Sequence, residues 1–314
     1  MQDGNFEYTR VINVLGTPVK ARAYACAQRG SREGCVPMRA DQIRLQLTII
    51  PTSYCMAACP FCIAGPHDRL DNIDLNRLER MLARLKDANI VRGITLTGGE
   101  PFVDVRRVDA IVSMVFGIFG YDMEITLDTN GCGIERLGEI RELSHIDTVH
   151  VSRHHYDDAV NRSIFGTAAV PTAAVLRRAM HSISYRDLFV MNCMLLKDGI
   201  DTADEVHRYL DFAIETGAGK VAFITVTPVN AYAAAQRVEY DAVIQRDDPA
   251  FLFTRGFNDF DWCRCQDGVY CSQAGLIEFY GRRTDARACD YCRGLVYGSD
   301  NRLRAGFGGP VIAE

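Results

Sequence analysis

Residues 43–62 have the sequence IRLQLTIIPTSYCMAACPFC, in which an apolar run leads into a loop with three cysteines. The run from Ile43 to Ile50 is short, apolar and rich in β-branched residues, so it predicts a buried strand. Cys55, Cys59 and Cys62 follow it at a CxxxCxxC spacing. Three thiols on one short loop after a strand indicate a site that binds a metal or an iron–sulfur cluster.

The strand-then-helix pattern repeats along the chain to about residue 226. Predicted helices such as 74–89 and 202–216 separate the strands, and Thr202 with Glu205 forms a capping pair at the start of the second. Strands that alternate with amphipathic helices form parallel βα units. Periodicity alone leaves a partial barrel and an open doubly wound sheet as alternatives. The predicted strands are Ile43–Ile50, Gly93–Thr97, Met123–Asp128, Thr148–Ser152, Leu188–Leu196 and Lys220–Val226.

In both of these folds the site-forming loops lie at the carboxyl ends of the strands. The sequence Thr-Gly-Gly-Glu-Pro at 97–101 follows the second strand, and its two glycines allow the backbone to approach a ligand closely. Asp-Thr-Asn-Gly at 128–131 closes the third strand, and Ser152-Arg153 closes the fourth. We expect these groups to lie near the three cysteines.

Together the two main motifs resemble those of the radical S-adenosylmethionine (SAM) enzymes, with Phe61 at the aromatic position before the last cysteine. The resemblance implies a partial (β/α)6 TIM-like barrel. It implies a 4Fe-4S cluster held by Cys55, Cys59 and Cys62, whose open iron binds SAM. Reductive cleavage of SAM would then give a 5′-deoxyadenosyl radical, with ferredoxin or flavodoxin as the electron donor.

The resemblance also implies which residues contact SAM. Residues Gly98, Gly99, Glu100 and Pro101 are expected to receive the ammonium group of the cofactor. Polar residues at the next strand ends, Thr129, Asn130, Ser152 and Arg153, are expected near the ribose and the methionine carboxylate. The alternative for the cysteine loop is a zinc site, although a closed structural zinc site usually takes a fourth protein ligand.

A polar cluster follows the fourth strand. Its residues His154, His155, Tyr156 and Asp157 are candidates to bind substrate hydroxyl or amine groups, or to act as a general acid or base. The alternative is a capped helix start with exposed histidines.

A second group of cysteines lies in the last quarter of the chain. It resembles the auxiliary-cluster appendage called twitch or SPASM, which combines a cysteine, a glycine hairpin and a second cysteine with a later CxxC. The resemblance implies a second 4Fe-4S cluster, with a zinc knuckle as the alternative. Cys265 is the alternative ligand, or a thiol that returns a hydrogen atom to the substrate. The expected ligands are Cys263, Cys271, Cys289 and Cys292.

Composition and charge indicate the class of protein, its partners and its compartment. The 48% hydrophobic and 24% charged residues are typical of a soluble globular protein. The formal net charge of −5 predicts no general attraction to nucleic acid or to anionic membranes. The longest apolar stretch, 110–119, is about half of what a bilayer crossing needs, and no signal peptide is visible. We expect a cytoplasmic protein, where twelve cysteines favour cluster ligation over disulfides.

We expect a leader at 1–42, a core at 43–235 and an appendage at 236–314. Residues 1–42 are too short for a leader-peptide-binding module, which favours a small metabolite such as a sugar, an aminocyclitol or a nucleoside-like molecule. The expected outcome is oxidation, with the auxiliary cluster accepting an electron, or epimerisation. A ribosomally made peptide is the alternative substrate. A non-enzymatic, zinc-stabilised binding protein is the alternative of a different class.

Overall fold

The structure of the chain is a computed structural model, and it describes residues 9–26, 35–63, 71–184, 188–245, 247–256, 268–272, 277–282 and 291–314. Two short antiparallel pairs form the start of the chain. The first pairs β1 (Thr9–Val14) with β2 (Thr17–Arg22), and the second pairs β3 (Tyr24–Cys26) with β4 (Cys35–Pro37). These strands lie within the leader expected at residues 1–42.

Strands and helices then mostly alternate, as the sequence predicted, but the strands Glu124–Thr129 and Thr148–Ser152 are joined by short 3₁₀ turns and not by an α-helix. The strand boundaries differ from the prediction by up to two residues at an end. In chain order the elements are β5 (Leu45–Ile49), α1 (Leu75–Asp87), β6 (Val91–Leu96), α2 (Val105–Phe119), β7 (Glu124–Thr129), β8 (Thr148–Ser152), α3 (Asp158–Phe165), α4 (Ala173–Ser182), β9 (Phe189–Leu195), α5 (Ala203–Thr216) and β10 (Lys220–Thr225).

The last part of the described chain is mostly strand. One of its strands, Phe251–Gly256, pairs in antiparallel orientation with Gly268–Ser272. The elements are α6 (Ala231–Gln236), α7 (Tyr240–Val243), β11 (Phe251–Gly256), β12 (Gly268–Ser272), β13 (Glu278–Arg282), β14 (Gly294–Tyr297), β15 (Leu303–Arg304) and β16 (Val311–Ala313).

One sheet contains all the described strands from β5 onward. Strands β5 to β10 lie side by side in chain order, and each is parallel to the next. A doubly wound sheet reverses its strand order at a switch point, whereas a barrel keeps the order sequential. The α/β fold is confirmed, and the sequential order is consistent with a partial barrel.

The C-terminal strands extend this sheet at both ends. Strand β13 joins β10 and strand β14 joins β5, both in parallel, while β11–β12 and β15–β16 continue the sheet as antiparallel edges. The division of the chain at about residue 235 remains a prediction.

Helix caps and apolar faces explain the helical layer. At the start of α1, the side chain of Asp74 accepts hydrogen bonds from the backbone N–H groups of Asn76 and Arg77, which otherwise lack partners. At α5, Thr202 caps the N–H of Glu205 at 3.2 Å as predicted. The inward face of α1 buries Leu78, Met81, Leu82 and Leu85. Within the described residues, no helix has both the length and the apolar character that a membrane crossing needs.

Candidate functional site

A cavity of about 840 Å³ lies at the carboxyl edge of the parallel strands. It is lined by residues 54–63, 97–99 and 128–130, with Ser152 and His154 after β8 and further residues from β9 and β10. The expected residues Phe61, Gly98, Gly99, Thr129 and Asn130 are among them. These residues meet because the carboxyl ends of the parallel strands lie at one edge of the sheet. We call this space the cysteine cavity.

Cys55, Cys59 and Cys62 all line the cysteine cavity and are partly exposed in it. Burial raises the pKa of the Cys55 thiol. Burial, with repulsion from the other two sulfurs, raises the pKa of Cys59 to about 12. Three thiolates so close together need a positive centre to stabilise them. Bound iron would supply that charge, so the donor set fits a cluster.

The geometry of the thiols also bears on the kind of metal centre. Among the described residues, no group of three His, Cys, Asp or Glu side chains is arranged to hold one metal ion. A cubane cluster does not need such an arrangement, because each cysteine binds a different iron.

The glycines of 97–101 lie against the segment that leads into the cysteine loop. The N–H of Gly99 donates to the carbonyl of Thr52 at 3.1 Å, and the N–H of Glu100 donates to that of Tyr54 at 2.8 Å. A Cβ atom on Gly99 would lie 2.0 Å from the Tyr54 carbonyl oxygen, and Gly98 has a φ of +126°. The sequence predicted that the two glycines allow the backbone to approach a ligand closely. In the structure, the backbone at Gly99 closely approaches the backbone at Tyr54.

Glu100 is fully buried and its carboxyl group is occupied by protein donors. Oε1 accepts from the Phe102 N–H at 3.0 Å and from the Thr129 hydroxyl at 2.7 Å. Oε2 accepts from the Asn130 N–H at 2.8 Å. Burial raises the pKa of Glu100 to about 7. The side chain therefore ties the glycine loop to the end of β7, and neither Glu100 nor Pro101 is among the residues that line the cavity.

Asn130 makes contact with the first cysteine. Its Oδ1 accepts from the backbone N–H of Cys132 at 2.9 Å, which fixes the orientation of the amide. Its Nδ2 therefore faces the Cys55 sulfur at 3.5 Å. The N–H of Ala57 donates to the same sulfur at 3.4 Å. Two donors thus converge on Cys55.

Arg153 is turned away from the cavity. It is 1% exposed, and its guanidinium donates to the carbonyls of His155 and Pro171 at 2.7 and 2.9 Å. It also donates to the carbonyl of Tyr156 and pairs with Asp158 at 2.6 Å. These contacts hold the loop after β8 in shape, so the structure does not bring Arg153 to the expected cofactor site.

Three of the four expected catalytic residues after β8 also face other parts of the fold. The Tyr156 hydroxyl donates to Glu205 on α5 at 3.2 Å, and His155 Nε2 lies 3.7 Å from the same carboxyl group. Asp157 caps α3 through the N–H groups of Ala159 and Val160. Within the described residues, His154 is the member of this cluster that lines the cysteine cavity.

Some residues of the cavity wall were not predicted from the sequence. Phe165, Met194, Ile224 and Val226 line the cavity, although no cofactor role was expected for them. Met194, Ile224 and Val226 lie at or just beyond the carboxyl ends of β9 and β10, so the strand-end rule could have found them. Phe165 ends α3, and no sequence signal pointed to it.

The described C-terminal cysteines lie near the amino ends of the parallel strands, on the side of the sheet opposite to the cysteine cavity. Cys271 on β12 stands opposite Glu278, the first residue of β13, and Cys292 precedes β14 by two residues. Both are therefore near the amino ends of parallel strands. The Cys292 sulfur lies 3.1 Å from the carbonyl of Gly294. The expected residues Cys263, Cys265 and Cys289 lie outside the described residues.

Curated relatives are similar to part of this chain. The probable GTP 3',8-cyclase of Thermococcus kodakarensis is 29% identical over 176 residues, which are 54% of this chain and 53% of the relative. The GTP 3',8-cyclase of Mycolicibacterium smegmatis is 26% identical over 210 residues, 63% of this chain and 56% of the relative. The chain thus spans about half the length of these relatives.

Solved structures show a similar fold. SuiB of Streptococcus suis bound to its precursor peptide SuiA aligns with a TM-score of 0.56 at 15% identity, covering 84% of this chain and 60% of that one. The same protein bound to S-adenosylmethionine aligns equally well, covering 86% and 63%. At this level of identity the similarity concerns the fold alone.

The family model of the Radical SAM superfamily matches residues 49–213, which are more than half of the chain. The match begins in β5 and runs into α5, so it contains the cysteine loop, the glycine loop and the strands that position them. The chain therefore belongs to the radical SAM superfamily, whose members are enzymes that use a 4Fe-4S cluster and S-adenosylmethionine.

Proposed function

We propose that this protein is a radical SAM enzyme in which Cys55, Cys59 and Cys62 hold the 4Fe-4S cluster. The observation that carries the proposal is that these three thiols line one cavity together with Gly98 and Gly99. When bound, the cluster and SAM supply a 5′-deoxyadenosyl radical that abstracts hydrogen from an unactivated C–H bond. A ferredoxin or flavodoxin is the proposed electron donor.

The residues at the strand ends position the cofactor. The backbone groups of Gly98 and Gly99 line the cavity, whereas the Glu100 carboxyl is occupied by three protein donors. We therefore assign the ammonium contact to the glycine backbone and the positioning of that loop to Glu100. Ser152 presents a hydroxyl in the same cavity and is assigned to the ribose.

An apolar wall forms one side of the site. Phe61, Phe165, Met194, Ile224 and Val226 line the cavity on the side of β8 to β10. Exclusion of water protects reactive species from side reactions. This wall suits a reaction that passes through a carbon radical.

A small metabolite is the substrate class that we propose first. The curated relatives carry the name GTP 3',8-cyclase, which favours the nucleoside-like member of the expected substrates. Oxidation or epimerisation is the proposed outcome. A second cluster on Cys263, Cys271, Cys289 and Cys292 belongs to the same proposal, with Cys265 as the alternative ligand.

A short peptide is the second candidate substrate. It is suggested by the fold that the chain shares with SuiB, which was solved with its precursor peptide. The non-enzymatic zinc protein is not retained, because members of this superfamily are enzymes.

The direct test is the formation of 5′-deoxyadenosine. The anaerobically reconstituted protein is incubated with SAM and dithionite, and the products are measured by mass spectrometry. We expect 5′-deoxyadenosine from the wild type and none from Cys59→Ala. Cys193→Ala is the matched control, because Cys193 is buried on β9 and does not line the cavity. An iron-loaded wild type that forms no 5′-deoxyadenosine would overturn the proposal.

A further inference from the structure

The two ring nitrogens of His154 are in different situations. Nδ1 accepts a hydrogen bond from the backbone N–H of Met194 at 3.2 Å. A backbone N–H is always a donor, so Nδ1 carries a lone pair. In the neutral ring the proton is therefore on Nε2, and Nε2 can only donate.

The surroundings of His154 keep this ring in place and uncharged. Phe61 meets it edge-on with centroids 5.4 Å apart, and Phe165 stacks on it at 4.7 Å. The backbone N–H of His154 donates to the side chain of Asn161 at 2.9 Å. Burial, assisted by the positive charge of Arg153, lowers the pKa of His154 to about 3. The ring is thus a neutral donor near physiological pH.

Nε2 is the polar side-chain atom that His154 has left for a ligand. The side chain lines the cysteine cavity although it is only 5% exposed. Within the part of the chain that the structure describes, no acceptor is paired with Nε2. Nε2 is not among the solvent-inaccessible side-chain atoms without a partner in the described residues, so it is open to the cavity. An acceptor on a ligand in the cavity can therefore reach it.

The wall around His154 indicates the shape of such a ligand. Phe61, Phe165, Met194 and Val226 line the same cavity and are aromatic, apolar or polarisable. Flat aromatic rings pack well against such side chains. The Nε2–H group adds the requirement for an acceptor at the edge of the ring. A purine base meets both requirements, because it has an aromatic face and ring nitrogens on its edge.

We propose that His154 recognises a base, with its Nε2–H donating to an acceptor ring nitrogen at the edge of a purine bound in the cysteine cavity. The proposal rests on the proposed function, because it places the base in the same site. Two sources can bring the ring there: the adenine of SAM, or a purine nucleotide substrate. In this role His154 is a donor only, and not the acid or base that the sequence suggested.

Deaza analogues, in which a C–H replaces one ring nitrogen, test this on the wild type. Binding to the cluster-loaded protein is measured anaerobically by equilibrium dialysis for SAM and its 1-deaza, 3-deaza and 7-deaza analogues. The same is done for GTP and its deaza analogues with SAM present. We expect one analogue to bind roughly tenfold or more weakly than its parent.

The series in which that loss occurs identifies the source of the base. A loss among the SAM analogues assigns the base to the cofactor, and a loss among the GTP analogues alone assigns it to the substrate. If every analogue of both series binds as tightly as its parent, the proposal is overturned. Wild-type protein that binds no unmodified SAM would overturn the proposed function, which is a separate result.

Two variants of His154 separate its two nitrogens. In His154→Asn the amide oxygen replaces Nδ1 as the acceptor for Met194, but no donor reaches the position of Nε2. In His154→Gln the donor is kept and the acceptor is lost. We expect the Asn variant to bind the parent ligand as weakly as the wild type binds the sensitive analogue. The Gln variant should still bind the parent ligand more tightly than that analogue. A folded Asn variant that still discriminates would overturn the proposal. The wild-type analogue series decides the matter if a variant does not fold.

Discussion

Gly99 lies so close to Tyr54 that a Cβ atom at position 99 would come within 2.0 Å of the Tyr54 carbonyl oxygen. Tyr54 directly precedes Cys55, so the glycine loop after β6 sets the position at which the cysteine loop begins. The N–H of Glu100 bonds to the same carbonyl at 2.8 Å. The two motifs are therefore one physical unit.

Replacement of Gly99 by alanine should displace the cysteine loop. The added methyl group meets backbone atoms that cannot rotate away, so we expect a loss of about 1–3 kcal/mol in the free energy of unfolding. Iron content after reconstitution should fall as well. Gly117→Ala is the control, since Gly117 is exposed on α2 with nothing within 4 Å of a Cβ. That control should gain about 0.5–1 kcal/mol. Equal stability and iron content in Gly99→Ala and the wild type would refute the contact.

Arg153→Met should destabilise the fold without removing a cofactor contact. The variant leaves the carboxyl group of Asp158 and three backbone carbonyls without their donor. We expect a loss of about 3–5 kcal/mol in urea unfolding, toward the lower end because Asp158 is 37% exposed. The control Arg136→Met breaks an exposed pair with Glu139 and should change the free energy of unfolding much less, because solvent screens the pair.

The affinity for SAM distinguishes this role from the one expected from the sequence. Folded Arg153→Met should bind SAM as the wild type does. A variant that kept its stability and lost SAM binding would show that Arg153 contacts the cofactor after all.

Asn130→Asp should lower the reduction potential of the cluster. The aspartate keeps an oxygen for the Cys132 N–H but replaces the donor that faces the Cys55 sulfur. Loss of a hydrogen bond to a ligand sulfur, together with added negative charge, favours the oxidised cluster. The potential is measured by redox titration followed by electron paramagnetic resonance.

Asn230→Asp supplies the charge control for that experiment. Asn230 lines the same cavity but donates to the carbonyl of Pro60 at 2.8 Å rather than to a sulfur. The reduction potential of the cluster should shift less in Asn230→Asp than in Asn130→Asp. Equal shifts in the two variants would mean that charge alone acts and that the bond from Asn130 to Cys55 does not matter.

His154 should make stability depend on pH below neutrality. Its pKa is about 3 in the folded chain, whereas an unperturbed histidine has a pKa of 6.5. The unfolded state therefore binds a proton first as the pH falls, so the contribution of His154 is complete above pH 6.5 and is lost toward pH 3.

The measurement compares the wild type with His154→Asn by chemical denaturation across this range. The difference in free energy of unfolding should shrink as the pH falls from 6.5, because only the wild type has the group that becomes protonated. A difference that stays constant with pH would show that His154 is not held neutral in the fold.

The sequence predicted the strands and the edge of the sheet at which the site lies, because apolar periodicity and motif position are local signals. It could not predict where Glu100 and Arg153 direct their side chains. The partners of the Glu100 carboxyl on β7 are 29 and 30 residues away in sequence, and they are known only once the strands are adjacent. The partners of Arg153 could not be predicted either, because they are backbone carbonyls whose positions depend on the folded conformation of the loop. Phe165 enters the cavity wall through the packing of α3, which residue type does not reveal.

We assign the 4Fe-4S cluster to Cys55, Cys59 and Cys62. The most direct measurement is the iron and sulfide content of the anaerobically reconstituted protein, with Mössbauer spectra, for the wild type and for the variant with alanine at all three positions. We predict about eight irons per chain in the wild type, as two cubane clusters require, and about four fewer in the variant. A wild type that holds zinc without iron and sulfide, or a variant that keeps all of its iron, would contradict the assignment.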